Sequence, residues 1–225
     1  MNDAAPGFLG VLMLDTRFPR PPGDVGNAQT YARAGIPVRF LTVQGASPRR
    51  IVEEADPRLV QPFVDAAVRL VAEGASMITT SCGFLAAYQD VLSRAVPVPV
   101  LTSSLLQVRR CTRPGIVTFD AQSLTPQILR AAGVPAGTPV AGVRPGCEFH
   151  RRILDNDAVL DLAEAQRNVV EAAVRLVQDS PAVESIVLEC ANMPPYREAV
   201  AAAVGREVHD IETMILKAWR DRSPK

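Results

Sequence analysis

Short apolar runs alternate with longer segments of helical periodicity along most of the chain. The apolar runs predict strands, and segments that repeat apolar residues every turn predict helices. This alternation is typical of α/β folds with parallel sheets. The predicted strands are residues 8–14, 38–43, 76–81, 98–102, 115–119, 140–143, 185–189 and 207–209, and the predicted helices include residues 57–73, 84–94, 126–132, 157–178, 195–204 and 211–220.

The two halves of the chain resemble each other. GVLMLD, which ends at Asp15, matches GIVTFD, which ends at Asp120. Cys82 follows Asp15 by 67 residues, and Cys190 follows Asp120 by 70 residues. The matched strand type, terminal residue and spacing favour an internal duplication into two pseudo-symmetric Rossmann-like domains with parallel sheets. Coincidental repetition of Rossmann-like units is the alternative.

Both halves place a cysteine at the carboxyl end of a predicted strand, in SMITTSCGF and in SIVLECANM. In open parallel sheets, binding sites form outside the carboxyl ends of the strands. We therefore expect Asp15, Cys82, Asp120 and Cys190 to converge on a cleft between the domains. A helix that starts directly after each cysteine is expected to lower the pKa of the thiol.

A cysteine in an apolar segment is more often a small buried hydrophobic residue than a catalytic thiol. Cys111, which precedes a predicted strand, and Cys147, in the loop-like segment RPGCEF, fit that interpretation. Cys82 and Cys190 differ from them because they occupy equivalent positions of the repeat. The sequence therefore assigns the chemistry to this second pair.

Groups near the two thiols are the predicted substrate-binding groups. Main-chain amides beside each cysteine suit a carboxylate or an enediolate, and nearby hydroxyls suit the same charge. Turn or cap chemistry is the alternative for the aspartates, the asparagines and the hydroxyls. The predicted substrate-binding residues are Asp15, Asn27, Ser81, Gly83, Phe84, Thr118, Asp120, Ala191 and Asn192.

Composition narrows the chemistry further. The 225-residue chain is 48% hydrophobic and has a formal net charge of zero, so we expect no nucleic-acid or membrane partner. Lysine occurs only at Lys217 and Lys225, and histidine only at His150 and His209. We therefore expect no cofactor, no Schiff-base lysine and no metal site. The N-terminal apolar run is too short for a signal peptide or a membrane span, which favours a cytoplasmic location.

Two thiols on opposite sides of one carbon suit an inversion of configuration. One thiolate removes a proton from a carbon next to a carboxylate, and the opposite thiol returns a proton to the other face. The sequence thus predicts a racemase or epimerase that works on a small-molecule carboxylate.

The chain resembles the aspartate/glutamate racemase superfamily in three segments, TTSCGF, LECANMPPY and LDTRFPRPPGDVGN. The resemblance implies that Cys82 and Cys190 are the acid and base of a cofactor-independent amino-acid racemase. It also implies an active site in the cleft between two domains, and a homodimer. The two domains correspond to residues 1–105 with 206–225 and to residues 106–205.

Departures from the superfamily pattern leave the substrate open. Ser81 stands where racemases of acidic amino acids usually have Asn, and Glu189-Cys190-Ala191 stands where they often have Gly-Cys-Thr. Hydantoin racemases and maleate isomerases of the same superfamily are alternatives, as is a binding protein without turnover. The arylmalonate decarboxylase branch typically keeps only the second cysteine, so Cys82 argues against it. The roles of Glu148, His150 and His209 are left open as well.

Overall fold

The computed structural model describes residues 7–222 as two four-stranded parallel sheets flanked by helices. The strand order is β2-β1-β3-β4 in the first sheet and β6-β5-β7-β8 in the second, so the same topology occurs twice. The predicted α/β class and its pseudo-symmetry are confirmed. Residues 1–6 and 223–225, assigned above to the first domain, lie outside the described residues. The strands are β1 Phe8–Leu14, β2 Val38–Val43, β3 Ala75–Thr80, β4 Val100–Leu101, β5 Pro114–Thr118, β6 Val140–Gly142, β7 Ser185–Leu188 and β8 Glu207–His209.

The helices pack against both faces of the sheets, and several are preceded by a turn of 3₁₀-helix. None of those in residues 7–222 is long and apolar enough to cross a membrane. The α-helices are α1 Gln29–Ala32, α2 Pro48–Val52, α3 Val60–Ala72, α4 Gln89–Ala95, α5 Pro126–Ala131, α6 Glu148–Leu154, α7 Leu162–Asp179, α8 Arg197–Val204 and α9 Ile211–Arg220. The 3₁₀-helices are Pro57–Leu59, Gly83–Tyr88, Ser104–Arg110 and Pro194–Tyr196.

Two differences from the sequence-based prediction have simple causes. Helix α7 begins at Leu162 rather than at residue 157, because the Asp161 carboxylate accepts hydrogen bonds from the amides of Ala163 and Glu164. The α1, α2 and α6 segments were not predicted, because helices of one or two turns are too short to display a helical period. Local capping, rather than periodicity, sets these boundaries.

The core joins the two halves of the molecule. One apolar cluster contains side chains of both sheets, such as Leu12 and Ile78 from the first and Ile116 and Val187 from the second. Strand β1 is buried along its whole length, as expected for a strand covered on both faces. The halves are therefore held together by the same apolar packing that stabilises each sheet.

The C-terminal segment is shared between the halves. Strand β8 pairs with β7, with Val208 opposite Ile186, so it completes the second sheet. Helix α9 instead buries Ile211 and Ile215 in a cluster with Leu9 and other side chains of the first sheet. Strand β8, which the predicted domain division places with the first domain, thus makes its backbone hydrogen bonds in the second sheet. The division itself remains a prediction.

Candidate active site

Strands β3 and β7 lead to opposite walls of one cavity between the halves. Cys82 lies two residues after the end of β3, and Cys190 lies two residues after the end of β7. The cavity is narrow in this structure, with a volume of about 20 Å³. Its lining residues are Leu14, Phe18, Pro48, Val52, Ser81, Cys82 and Phe84 from the first half and Phe119, Ile153, Glu189, Cys190 and Asn192 from the second. The strand topology thus brings the two thiols of the repeat to one site.

Both thiols are buried, and this controls their ionisation. Cys82 is 8% exposed and Cys190 is 7% exposed. Burial, followed by the negative charge of Glu189, raises the pKa of Cys82 to about 12. The same two causes raise the pKa of Cys190 well above its ordinary value. The expectation of a lowered thiol pKa is wrong for this structure, because short 3₁₀ segments follow the cysteines and burial outweighs their amides.

The two thiols are not electrostatically equivalent. The amides of Phe84 and Leu85 and the charge of Arg20 partly offset the rise in the pKa of Cys82. The Asn192 amide does so at Cys190, where Cys82 and Asp24 raise the pKa further. The Cys190 thiol also donates to Asn192 Oδ1 at 3.5 Å. The Cys82 thiol is therefore the one that a positive charge favours in its ionised form, and the Cys190 thiol is the one that donates a hydrogen bond.

Glu189 is a cavity residue that the sequence analysis did not assign. Its side chain is fully buried, and burial raises the pKa of its carboxyl from 4.5 to about 7. Thr118 Oγ1 donates to Oε2 at 2.8 Å, and the Phe119 amide donates to the same oxygen at 3.3 Å. Oε1 is buried and has no hydrogen-bond partner within residues 7–222. The sequence signal for this residue is a charged side chain at the end of the apolar run SIVLE.

Glu189 makes the stability of the protein depend on pH. Because its pKa is about 7 in the folded protein and ordinarily 4.5, its contribution is fully present below 4.5 and is lost as the pH rises through 7. We expect Glu189→Gln to stabilise the protein by about 2–3 kcal/mol more at pH 8 than at pH 5. Urea unfolding of both proteins at the two pH values measures this difference. An equal effect at both pH values would contradict a buried, titrating carboxyl.

A hydrogen-bond network connects residues 16–27 with Asn192, which lines the cavity. The Asp24 carboxylate is 1% exposed and accepts hydrogen bonds from Arg20 Nη1 at 2.8 Å and Asn192 Nδ2 at 2.7 Å. The Arg20 guanidinium lies 4.6 Å from the centroid of the Phe18 ring, and Phe18 lines the cavity. Asp24 therefore ties this N-terminal loop to the segment after Cys190, and the sequence analysis missed both Asp24 and Phe18.

The predicted substrate-binding residues divide into two groups. Ser81, Phe84 and Asn192 line the cavity together with the two cysteines. Six others are not among the lining residues, and their role as ligands remains a prediction. These six are Asp15, Asn27, Gly83, Thr118, Asp120 and Ala191.

Several of these six make hydrogen bonds within the fold instead. The Asp15 carboxylate accepts from the Gly45 amide at 3.0 Å, and Asn27 Nδ2 donates to the carbonyl of Arg20 at 2.7 Å. The Asp120 carboxylate accepts from the Gln122 amide and the Ser123 hydroxyl, each at 2.8 Å. Such bonds are typical of aspartate and asparagine in turns.

The packing between the two halves requires glycine at position 83, which the sequence did not reveal. A Cβ atom at this position would overlap both Oε1 and the main-chain oxygen of Glu189. The first half therefore approaches the second closely at a position that has no side chain. Gly83 sets how near the two thiol-bearing segments can come to each other.

The histidines and Glu148 are not among the residues that line the cavity. The His150 ring stacks on Phe119, with centroids 4.9 Å apart and an interplanar angle of 4°. Glu148 pairs with Arg152 at 3.0 Å, and His209 lies 3.4 Å from a Glu207 oxygen on β8. His150 thus supports a ring of the cavity wall from behind.

No family model matches the chain. Its sequence is nevertheless similar to those of known proteins. A dimethylsulfoniopropionate lyase of Durusdinium sp. clade D is 30% identical over 216 residues, covering 90% of this chain and 70% of that protein. The chain belongs to the dimethylsulfoniopropionate lyase family. Dimethylsulfoniopropionate lyase 7 of Emiliania huxleyi is 27% identical over 230 residues, covering 91% of this chain. The chain spans 64% of that relative and 45% of lyase 5 of the same organism, so it is shorter than these family members.

Several solved structures share the fold of this chain. Arylmalonate decarboxylase matches with a TM-score of 0.60 and 16% identity, over 96% of this chain and 94% of that one. Glutamate racemase from Bacillus anthracis matches with 0.60 and 14%, over 95% and 82% of the two chains. Allantoin racemase from Pseudomonas fluorescens matches with 0.60 and 16%, over 95% and 89%. The fold that the resemblance to the aspartate/glutamate racemase superfamily implies is confirmed, and these structural neighbours are enzymes.

Proposed function

We propose that the protein is a lyase that eliminates dimethyl sulfide from dimethylsulfoniopropionate. The observation that carries the proposal is the pair of buried thiols, Cys82 and Cys190, on opposite walls of one small cavity. Both racemisation and elimination begin when a base removes a proton from the carbon next to a carboxylate. The kinship with dimethylsulfoniopropionate lyases over 90% of the chain supports elimination as the outcome.

In the proposed reaction Cys82 is the base. Its thiol first loses a proton to solvent, and the thiolate then removes the proton on the carbon next to the substrate carboxylate. The electron pair of that C–H bond forms the carbon–carbon double bond of acrylate. The bond from the neighbouring carbon to sulfur breaks, and its electron pair leaves with sulfur as neutral dimethyl sulfide. Each turnover thus converts one substrate into acrylate, dimethyl sulfide and one proton.

The remaining groups of the cavity assist this step. Charge that develops on the substrate carboxylate is stabilised by preorganised donors, and the Phe84 and Asn192 amides lie beside the two sulfur atoms. Cys190, which is held protonated next to Asn192, is an additional donor. The largely apolar lining excludes water and so strengthens each of these interactions.

A cofactor-independent amino-acid racemase or epimerase is the second candidate, with hydantoins or maleate as alternative substrates. The observation that favours it is the equivalence of Cys82 and Cys190 in the repeated topology, because inversion needs one thiol on each face of the carbon. The electrostatic difference between the two thiols supports the lyase instead, since elimination needs only one base.

Proton NMR in deuterated water distinguishes the candidates. The protein is incubated with dimethylsulfoniopropionate and, separately, with single enantiomers of aspartate and glutamate, a 5-substituted hydantoin and maleate. We expect equal amounts of acrylate and dimethyl sulfide from the first compound only. Cys111→Ser, which changes a thiol outside the cavity, serves as the control and is expected to keep this activity. Exchange of an amino-acid α-proton together with formation of the antipode, without acrylate, would instead establish the racemase.

A further inference from the structure

Glu189 is a buried carboxylate without a counter-ion. No salt bridge in the described part of the chain involves it, and one of its oxygens has no hydrogen-bond partner. Arg20, the cation whose charge reaches the nearby Cys82, is paired with Asp24 at 2.8 Å. A buried charge without a partner costs several kcal/mol, so with a pKa of about 7 Glu189 is partly protonated at neutral pH, and a bound cation would favour its charged form.

The cavity beside Glu189 has an unusual composition for a site that accepts a carboxylate substrate. Phe18, Phe84 and Phe119 line it, and we call these three rings the aromatic wall. Glu189 and the two cysteines are the only ionisable side chains among its described lining residues. Aromatic faces attract methylated cations, and a nearby carboxylate adds direct charge attraction. The cavity therefore provides both the aromatic rings and the negative charge that a positively charged, methyl-bearing group requires.

We propose that Glu189 and the aromatic wall form the binding site for the onium group of the substrate, the dimethylsulfonium in the case of dimethylsulfoniopropionate. The proposal rests on the proposed lyase function and extends it to substrate recognition. The apolar rings contact the methyl groups, and Glu189 neutralises the positive charge. A carboxylate substrate that lacks the cation would face the uncompensated charge of Glu189 and bind weakly.

This arrangement also links substrate binding to catalysis. The charge of Glu189 is the second cause, after burial, of the raised pKa of both thiols. A cation bound next to Glu189 cancels that repulsion, so it lowers the pKa of Cys82 and favours the thiolate. The substrate thereby promotes formation of the base that attacks it.

Two unreactive probes test the proposal without any need for turnover. The trimethylammonium analogue of the substrate and its neutral tert-butyl analogue share one shape and one carboxylate, and they differ in a single positive charge. Calorimetric titration at pH 8 is expected to show about tenfold to a hundredfold tighter binding of the charged probe. Glu189→Gln is expected to abolish this preference, whereas Glu171→Gln, on the exposed face of α7, keeps it.

The unmodified protein provides a second test that does not depend on the variant. Because the carboxyl of Glu189 has a pKa of about 7, the preference for the charged probe is expected to fall when the pH is lowered from 8 to 5. Equal binding of the two probes at pH 8, or a preference that survives in Glu189→Gln, would overturn the proposal.

The two proposals fail in different ways. A charge preference that depends on Glu189, without cleavage of dimethylsulfoniopropionate, supports the onium site and contradicts the lyase. Cleavage of dimethylsulfoniopropionate with a charge preference unchanged in Glu189→Gln supports the lyase and contradicts the onium site.

Discussion

Cys82→Ser is expected to lower kcat for acrylate formation by roughly a thousandfold, the usual loss when a positioned base is removed. A serine hydroxyl preserves the size of the side chain but does not ionise in this buried, negatively charged environment. Cys190→Ser is expected to lose only about tenfold to a hundredfold, because a hydroxyl still donates a hydrogen bond. Headspace measurement of dimethyl sulfide gives both rates.

Comparison of the rates of Cys82→Ser and Cys190→Ser distinguishes a single-base mechanism from a two-base mechanism. Cys82 and Cys190 are similarly buried, so a general effect of removing sulfur from the cavity would lower both rates alike. Cys111→Ser controls for the loss of a thiol outside the cavity and is expected to match the unmodified enzyme. Equal thousandfold losses for Cys82→Ser and Cys190→Ser would contradict a single base and favour a two-base mechanism.

Gly83→Ala is expected to lower the free energy of unfolding by about 3 kcal/mol or more, and to abolish activity. The added Cβ would overlap Oε1 and the main-chain oxygen of Glu189, and a main-chain atom cannot move aside cheaply. Either the two halves separate locally or the segment after β3 shifts, and both changes disturb the geometry of the thiols. Urea unfolding, with the denaturant slope checked for two-state behaviour, measures the loss.

Gly137→Ala is the matched control for this substitution. Gly137 has a φ of 79°, but nothing lies within 4 Å of a Cβ atom built on it. Its replacement therefore carries only the conformational cost of about 1 kcal/mol. A loss at Gly83 no larger than the loss at Gly137 would contradict the close contact between the halves.

The sequence predicted the internal repeat and the strands and helices that have a clear apolar pattern. The bounds of β1, β2 and β8 and of helix α9 match the prediction, because apolar runs and helical periods are local signals. The equivalent positions of Cys82 and Cys190 in the two repeats predicted that each follows the carboxyl end of a strand, where binding sites form in parallel sheets. Each of these properties depends on residues that are close together in the sequence.

The sequence could not predict features that depend on contacts between the halves. Glu189 is a charged residue at the end of a strand, and only the packing of Gly83 against it shows that it is sealed in the interior. Phe18 belongs to a loop whose position depends on the hydrogen bond between Asn192 and Asp24, which lie 168 residues apart. The pKa of Cys82 was predicted in the wrong direction, because burial is a tertiary property that outweighs local amides.

Glu189 is a cavity residue whose charge lowers the stability of the folded protein. A carboxyl with a pKa raised to about 7 destabilises the folded protein at higher pH, and an isosteric amide would relieve that cost. The fold nevertheless keeps a carboxylate at the wall of the cavity. Recognition of a cation and control of the thiol ionisation are functions that an amide could not supply.

The most direct test of the account uses two samples of dimethylsulfoniopropionate, each with deuterium in one of the two stereochemically distinct positions next to the carboxylate. In the proposed mechanism Cys82 is the single base, so acrylate is expected to keep the deuterium from one sample and to lose it from the other. Cleavage is expected to slow only for the sample that loses its deuterium. Equal loss of deuterium from both samples, or no cleavage of either, would contradict the assignment of Cys82 as the base of a lyase.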